Sequence, residues 1–500
     1  MYKTKLVRYA PVIAALCCGI TGALAHDITG PSSSQSPYVL RAQPGVVTKS
    51  VLTVGDSVNP KPDGMTPYRM VGLPDGLGAF DNGDGTFTLL MNHELGNTAG
   101  IPRAHGGIGA FVSRWVIEKE SLTVLHGQDL NDSYVTITPG AGTLNTFNRF
   151  CSGDLPPVSA FYNSNTGNGS QLRIYMNGEE SSPPFSDGYG RAIANVVDAS
   201  GPGTGIGYEL PAFNGLGAWE NILAHPNNGN VLGDQTVVMA NSDGARNSVY
   251  LYVGTKANSG TEPDKAGLTG GTTYALVVTA IGSGVEDRST PAGGPFTFST
   301  IVRDDDGNVI GGDVGTQFLR PEDGAWDPNS PRDFYFVTTD RYDQVKDGVG
   351  AQIGRSRLYR LSFADITHPE TGGTITCLLN GTEAGNMFDN ITITRRGEIM
   401  LQEDVGNQAH NGKIFRYNIA TGSLTLIAKH DPARFGDIGI PATPPFTQDE
   451  ESSGIIDVSS ILGEGWYLLD SQAHYNIMDP ELVEGGQLLA IHVPPGQSRR

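Results

Sequence analysis

The chain has 500 residues and a formal net charge of −20, with 53 acidic residues against 33 basic ones. An excess of acid this large argues against nucleic acid as a partner. The 67 glycines and 31 prolines, with only 17% charged residues and no long stretch of helical periodicity, indicate a turn-rich, strand-rich chain.

The N-terminus has the pattern of an export signal. Three basic residues precede an apolar run that ends in the small-residue site Ala23-Leu24-Ala25. We predict a signal peptide over residues 1–25, without a twin arginine. A periplasmic or secreted protein follows from this pattern, with no stable membrane anchor, since no second hydrophobic segment is present.

Short strand-like runs that end in polar or acidic residues recur after this signal. One run ends at His93 and Glu94, and a degenerate copy ends at Glu179 and Glu180. Between them, the polar loop NRFCSGD carries Cys151. Each acidic end offers oxygen ligands of the kind that calcium prefers.

Later runs carry such residues at both ends, so that an opening pair and a closing residue flank each hairpin. A hairpin returns the chain to the edge it left, which brings both ends to the same rim. Three runs follow this pattern: Glu220-Asn221 with Asp243, Glu322-Asp323 with Asp340, and Glu450-Glu451 with Asp470 and His474.

The best-formed hairpin is predicted over residues 385–406. Asp389 and Asn390 open it, and Glu403 and Asp404 close it. Four oxygen-bearing side chains are therefore expected on one rim, where they would suit a hard cation.

Six closing strands of this kind predict an all-β fold, a six-bladed β-propeller. The inner strands of a propeller line an axial channel, so the acidic rims would face one central site. For any single run, the alternative is an ordinary Asp/Asn/Gly turn. We expect an irregular N-terminal arm over residues 26–50 and one propeller domain over 51–500, with an insertion at about 256–312.

For two residues, the sequence leaves two possible roles open. Cys151 could form a disulfide with Cys377, or it could bind a metal while Cys377 remains a buried hydrophobe in its apolar strand. Arg320, directly before the Glu322-Asp323 pair, could clamp a phosphate or form a salt bridge to its acidic neighbours.

The ordered motifs MNHE, FCSGD, NGEE, RPEDGAWDP, FDNITITRRGEIMLQED and EESSG…LLDSQAH resemble those of PhoX-type alkaline phosphatases, which are exported six-bladed propellers. The resemblance spans roughly residues 50–495 and implies a phosphomonoesterase with calcium and iron at one end of the channel. The chain departs from the family at Asp154, where a glycine is usual, and over Leu155–Gln171, which lack the usual stretch before the paired glutamates.

The resemblance also implies site residues. Arg320 would contact phosphate, and Glu403 and Asp404 would join it in catalysis, with Asp470 and His474 as additional candidates. The implied metal ligands are Glu94, Cys151, Glu179, Glu180, Glu322, Asp323, Asp389, Asn390, Glu403, Asp404 and Glu451.

Three functions are compatible with these patterns. The first is a monomeric, secreted, metal-dependent phosphatase acting on small phosphate monoesters, whose metal ions would fix the phosphate oxygens. The second is another calcium-dependent propeller hydrolase, phytase-like or lactonase-like. The third is a non-catalytic binding propeller stabilised by calcium.

Overall fold

The computed structural model describes residues 27–137, 145–180, 190–198, 204–244, 246–312, 314–340 and 356–496. The predicted signal peptide over residues 1–25 lies outside these ranges. Among the residues described, no helix is long and apolar enough to cross a membrane.

Regular structure in these ranges is almost entirely β-strand. The strands of the first half are β1 (Asp27–Thr29), β2 (Val39–Arg41), β3 (Val47–Thr53), β4 (Ser57–Pro60), β5 (Pro67–Arg69), β6 (Pro74–Asp81), β7 (Thr86–His93), β8 (Phe111–Glu118), β9 (Val124–Asp129), β10 (Ser133–Val135), β11 (Phe150–Asp154), β12 (Tyr162–Asn163), β13 (Asn168–Gly169), β14 (Ile174–Glu179), β15 (Ala192–Val196), β16 (Ile206–Glu209), β17 (Trp219–Ala224) and β18 (Gln235–Ser242).

The second half continues the pattern and contains the short helices. Its strands are β19 (Val249–Thr255), β20 (Thr272–Val278), β21 (Gly294–Thr300), β22 (Val302–Arg303), β23 (Val309–Ile310), β24 (Pro321–Trp326), β25 (Asp333–Thr338), β26 (Arg357–Phe363), β27 (Gly373–Leu379), β28 (Phe388–Ile393), β29 (Glu398–Glu403), β30 (Lys413–Asn418), β31 (Ser423–His430), β32 (Glu450–Asp457), β33 (Trp466–Asn476) and β34 (Glu484–His492). The helices within the described ranges are α1 (Glu262–Lys265), α2 (Pro432–Phe435) and α3 (Ser459–Leu462), with 3-10 turns at Val158–Ala160, Pro211–Phe213, Asn228–Asn230 and Pro369–Thr371.

Within the described ranges the strands form six blades around one axis, which confirms the predicted all-β propeller. Blades 1, 3, 4 and 5 consist of β6–β9, β17–β20, β24–β27 and β28–β31. Blade 2 consists of β11, β14, β15 and β16, and blade 6 of β32, β33, β34 and β3. The first strand of each blade contacts the first strands of both neighbouring blades, and β32 contacts β6, so the ring is closed.

The arm predicted over residues 26–50 is not irregular throughout, because it contains paired strands. Strand β2 pairs with β31 at the outer edge of blade 5, and β3 pairs with β34 to complete blade 6. An edge strand has unpaired backbone N–H and C=O groups, which the N-terminal strands satisfy. The two ends of the described chain are thereby joined in one blade, which closes the ring.

Two strands of the predicted insertion at about 256–312 belong to the blade sheets. Strand β20 is the fourth strand of blade 3, and β21 pairs with both β20 and β27. Blades 3 and 4 therefore share one nine-stranded sheet. The small hairpin of β22 and β23 is an additional element beyond the blade strands.

Apolar side chains fill the spaces between neighbouring blades. Met176, Trp219 and Tyr250 belong to one such cluster, between blades 2 and 3. Leu52 and Leu488 belong to another, between blades 6 and 1. Each blade is buried on both faces, which explains why its middle strands are continuous apolar runs rather than alternating ones.

We predict that Leu52→Ala lowers the free energy of unfolding by about 2–5 kcal/mol. Leu52 is 0% exposed on the strand that closes blade 6, so truncation leaves a cavity at the closure. Leu125→Ala is the matched control, because Leu125 is 48% exposed on β9. Urea denaturation measures both variants. An equally small decrease in the free energy of unfolding in the two variants would contradict the role assigned to this closing strand.

Candidate functional site

In every blade, the second residue of the first strand has a side chain of a kind that can bind a metal ion. Because all six first strands run in the same direction around the axis, these residues lie at one end of the ring. In blade order they are Asp75, Cys151, Glu220, Glu322, Asp389 and Glu451. All six are buried, and we call them the ring residues.

A shift in strand register occurs in each blade, and in blades 1 to 5 it spans the ring residue. In blade 4, Pro321 pairs with Thr338 but Gly324 pairs with Phe336, so Glu322 and Asp323 share a single opposing residue. In blades 1, 2, 3 and 5 the shift likewise spans the ring residue. In blade 6 Glu451 pairs with Gln472, and the shift lies further along the strand, between Ser453 and Ile456. A bulge changes the direction of side chains locally, and here it allows adjacent residues to occupy successive layers of the channel.

The ends of the second strands add further acids. The N–H of Glu94 donates to the Leu73 carbonyl at 2.8 Å, and the N–H of Glu180 donates to the Arg149 carbonyl at 2.8 Å. The N–H of Asp404 donates in the same way to the Met387 carbonyl at 3.1 Å. Each of these three carbonyls belongs to the residue two positions before a ring residue. This recurring bond fixes each of the three acids next to the ring.

The ring residues and two of these acids, Glu94 and Asp404, form three groups, each with ligand atoms within 4.8 Å of one another. Blade 5 contributes to two of the groups, because Asp389 belongs to both. The groups are Asp75, Glu94 and Cys151; Glu220, Glu322 and Asp389; and Asp389, Asp404 and Glu451.

A layer of amides and hydroxyls lies beneath the ring residues. Asn390 donates to Ser152 and accepts from Ser453 at 2.7 Å. Asn221 donates to Asp323, which also accepts from the backbone N–H of Ile391 at 2.9 Å. The predicted ligands Asp323 and Asn390 therefore bond to the protein in this second layer, outside the three groups.

Amides and hydroxyls from the second strands also bond to the next blade. Asn92 donates to the carbonyl of Cys151 at 2.6 Å, and Thr339 donates to the carbonyl of Phe388 at 2.7 Å. Gln402 donates to the carbonyl of Ser453 at 3.1 Å. These bonds hold the bulged strands of neighbouring blades in register, which fixes the positions of the ring residues.

Burial and like charge raise the pKa of most carboxyls in the groups. Burial, together with the nearby Glu94 carboxylate, raises the pKa of Asp75 to about 8. At Glu94 itself, burial opposes ionisation but the Arg149 guanidinium lowers the pKa. Burial first and neighbouring carboxylates second raise the pKa well above its ordinary value at Glu220, Glu322, Asp389 and Glu451. So many buried acids need protons or cations to neutralise them.

Two arginines border the groups. Arg149 pairs with Glu94 and with Glu180, which places Glu180 beside the first group. Arg320 pairs with Asp243 at 2.7 Å and with Glu322 at 3.2 Å. Both alternatives for Arg320 therefore remain open, since it forms the salt bridges and still lies at the rim.

Two further predicted ligands, in addition to Asp323, Asn390 and Glu180, lie outside the groups. Glu179 accepts from Arg191 at 2.8 Å and from the N–H of Asn148 at 2.9 Å. Glu403 accepts from the N–H of Asn386 at 2.6 Å and from His410 at 2.8 Å. Both lie on second strands with side chains directed away from the ring, so each is fully engaged within its own blade.

Asp470 and His474 lie near the site but also outside the groups. Asp470 is completely buried, and neither of its carboxyl oxygens has a hydrogen-bond partner within the described chain. His474 pairs through Nδ1 with Glu484 at 2.9 Å. Burial opposes its protonation, but this bond and nearby acids raise its pKa.

The two cysteines of the described chain are both unpaired, which excludes a disulfide between them in this structure. Cys151 Sγ lies 3.5 Å from a carboxyl oxygen of Asp75. Cys377 lies on β27, an outer strand of blade 4, and donates to the carbonyl of Leu379 at 3.1 Å. Only Cys151 is therefore placed among metal-binding side chains.

The sequence-based ligand set omitted Asp75, Glu220 and Arg149. Glu220 was recognised as the opening residue of a run, whereas Asp75 was hidden in the turn-like segment LPDG. The available signal was positional, because each of the six ring residues is the second residue of a first strand. An alignment of the six opening segments on that position would have identified all of them.

No protein-family model matches this chain. No curated protein has significant similarity to it either.

Solved structures give a clearer result. PhoX of Pseudomonas fluorescens, in complex with the transition-state analogue vanadate, is similar over 93% of this chain and 98% of its own, with 13% identity and a TM-score of 0.56. A protein of unknown function from Dyadobacter fermentans DSM 18053 (8% identity, 90% and 100% coverage, TM-score 0.39) and a glucose dehydrogenase (11% identity, 85% and 98% coverage, TM-score 0.37) are too dissimilar to support a functional argument. The chain thus has the fold of PhoX, in agreement with the resemblance seen in its sequence.

Proposed function

We propose that this protein is an exported, metal-dependent phosphatase that hydrolyses small phosphate monoesters at the ring end of the channel. The observation that carries the proposal is the set of three adjacent ligand groups, bordered by two partly exposed arginines. The fold shared with PhoX supports it, since the PhoX structure holds vanadate. We further propose that the chain acts as a monomer and is exported through residues 1–25.

The residues of the groups fit bound cations. Asp389 Oδ1 is buried without a hydrogen-bond partner among the described residues, although Asp389 belongs to two groups. Two groups offer only carboxylate oxygens, which suit calcium. The group with Cys151 adds a thiolate, which suits a transition metal such as iron.

Bound cations would supply Lewis-acid activation and neutralise the phosphate charge, so that no serine or cysteine nucleophile is required. The chain itself contributes position and charge. Arg320 is held by Asp243 and Glu322, and its Nη1 has no hydrogen-bond partner in the described structure. That nitrogen is the donor we assign to an oxygen of the phosphate. Gln472 donates to Glu94 at 2.8 Å and to Asp75 at 3.1 Å, so one amide nitrogen fixes the positions of two carboxylates of the first group.

We predict that Asp389→Asn lowers phosphatase activity by about 100-fold or more. The substitution removes a charge from two groups at once, so calcium binding should weaken in parallel. Glu403→Gln is the control, because Glu403 lies on the adjacent strand but outside the groups. Phosphate release and calorimetric calcium titration measure both variants. A greater loss of activity and of calcium affinity in Glu403→Gln than in Asp389→Asn would contradict the assignment of this site.

We predict that the metal-free protein becomes less stable as pH rises from 5 to 9. Asp and Glu side chains in an unfolded chain have a pKa of about 4, whereas burial raises the pKa of Asp75 to about 8 and that of Asp323 to about 7. Between these values the folded state holds protons that the unfolded state has released, so unfolding is favoured as pH increases.

Calcium should reduce this pH dependence, because a bound cation replaces the protons and stabilises the folded state by mass action. Thermal melts from pH 5 to 9, with excess EGTA or with calcium, measure the effect. A metal-free melting temperature that rises with pH over this window would contradict the buried-acid site.

Cys151→Ser should remove a coloured transition metal together with activity, because a serine hydroxyl is a far weaker ligand than a thiolate. Cys377→Ser is the matched control and should retain both. Elemental analysis and the visible spectrum of protein purified without chelator provide the measurement. Calcium alone in the wild type would favour a calcium-dependent hydrolase or a binding propeller instead.

A further inference from the structure

Arg149 and Arg320 occupy equivalent positions in blades 2 and 4. Each lies two residues before its ring residue and has a left-handed backbone, with φ of +52° and +60° respectively. The carbonyl of Arg149 accepts from the N–H of Glu180 at 2.8 Å, and that of Arg320 accepts from the N–H of Thr339 at 3.0 Å. The fold therefore presents two guanidinium groups at one rim by the same backbone device.

Their side chains are also held in the same way. Arg149 donates through Nε to Glu94 at 2.7 Å and pairs through Nη2 with Glu94 and Glu180. Arg320 uses Nε and Nη2 for Asp243, and Nη2 also approaches Glu322. The side chains are 45% and 39% exposed, and among the described residues neither Nη1 has a hydrogen-bond partner. Each arginine thus keeps one donor nitrogen that bonds to no described residue.

The two arginines border different ligand groups. Arg320 contacts Glu322, whose group is joined to the third through Asp389. Arg149 contacts Glu94, whose group shares no residue with the other two. In the proposed site, a phosphate over the joined groups lies beside Arg320. The group that Arg149 borders is then the place that we assign to the alcohol part of the substrate.

We propose that Arg149 is a specificity residue that binds a second anionic group, a carboxylate or another phosphate, in the alcohol part of the substrate. The inference rests on the proposed phosphatase function and narrows it to doubly anionic monoesters. Guanidinium suits this role because its planar donors match carboxylate and phosphate oxygens.

Two non-hydrolysable probes test the inference by calorimetry on the calcium-loaded protein. Methylphosphonate carries one anionic group, and phosphonoacetate carries the same group plus a carboxylate. Arg149→Gln should lower the preference for phosphonoacetate over methylphosphonate by about tenfold or more, as expected for one charged hydrogen bond. Arg320→Gln should weaken both probes and leave their ratio unchanged.

Arg173→Gln is the matched control, since Arg173 is a partly exposed arginine paired with Asp198 away from the ring. It should change neither affinity. An unchanged probe ratio in Arg149→Gln, or equal weakening of both probes with weaker calcium binding, would overturn the inference and leave Arg149 as a counter-charge for Glu94 and Glu180.

Hydrolysis of two esters by the wild type and by Arg149→Gln separates this inference from the proposed function. If the wild type hydrolyses glycerol 2-phosphate and 2-phosphoglycerate, and Arg149→Gln raises KM equally for both, only the inference fails. If the wild type binds neither phosphonate and hydrolyses neither ester, the proposed function fails, and the inference fails with it.

Discussion

Repulsion among buried carboxylates at one end of the ring is the constraint on which the rest of this structure depends. Five of the six ring residues are acids, and further acids reach them from the second strands. Packing them together costs free energy unless protons, arginines or cations neutralise them. The remainder of the fold therefore has to hold the acids in place against this repulsion, which a closed ring does well because no blade can move away alone.

Hydrogen bonds between blades provide that restraint near the axis. Asn92, Thr339 and Gln402 each reach from a second strand to the bulged first strand of the next blade. Apolar clusters such as the one around Trp219 restrain the blades further out. A site on such a scaffold is preorganised, so its side chains are held in position before any ligand binds.

The same repeat that places the acids also places the arginines. A residue with positive φ precedes the first strand at Leu73, Arg149, Arg320 and Met387, and its carbonyl bonds to the end of the second strand. Only in blades 2 and 4 is that residue an arginine. The repeated backbone therefore offers equivalent positions, and the side chains at those positions distinguish one side of the rim from the other.

The sequence by itself determined the choice of a propeller, because six similar strand runs with polar or acidic ends are typical of a repeated blade. It also identified Glu94, Cys151, Glu322, Asp389, Asp404 and Glu451, which the structure brings into the three groups. Only the tertiary structure decided between adjacent acids such as Glu403 and Asp404, because strand geometry sends neighbouring side chains to opposite sides. Tertiary structure likewise revealed that Asp75 is a ring residue and that the N-terminal strands belong to the blades. Bulges and edge pairing depend on contacts between distant segments, which a local sequence pattern does not encode.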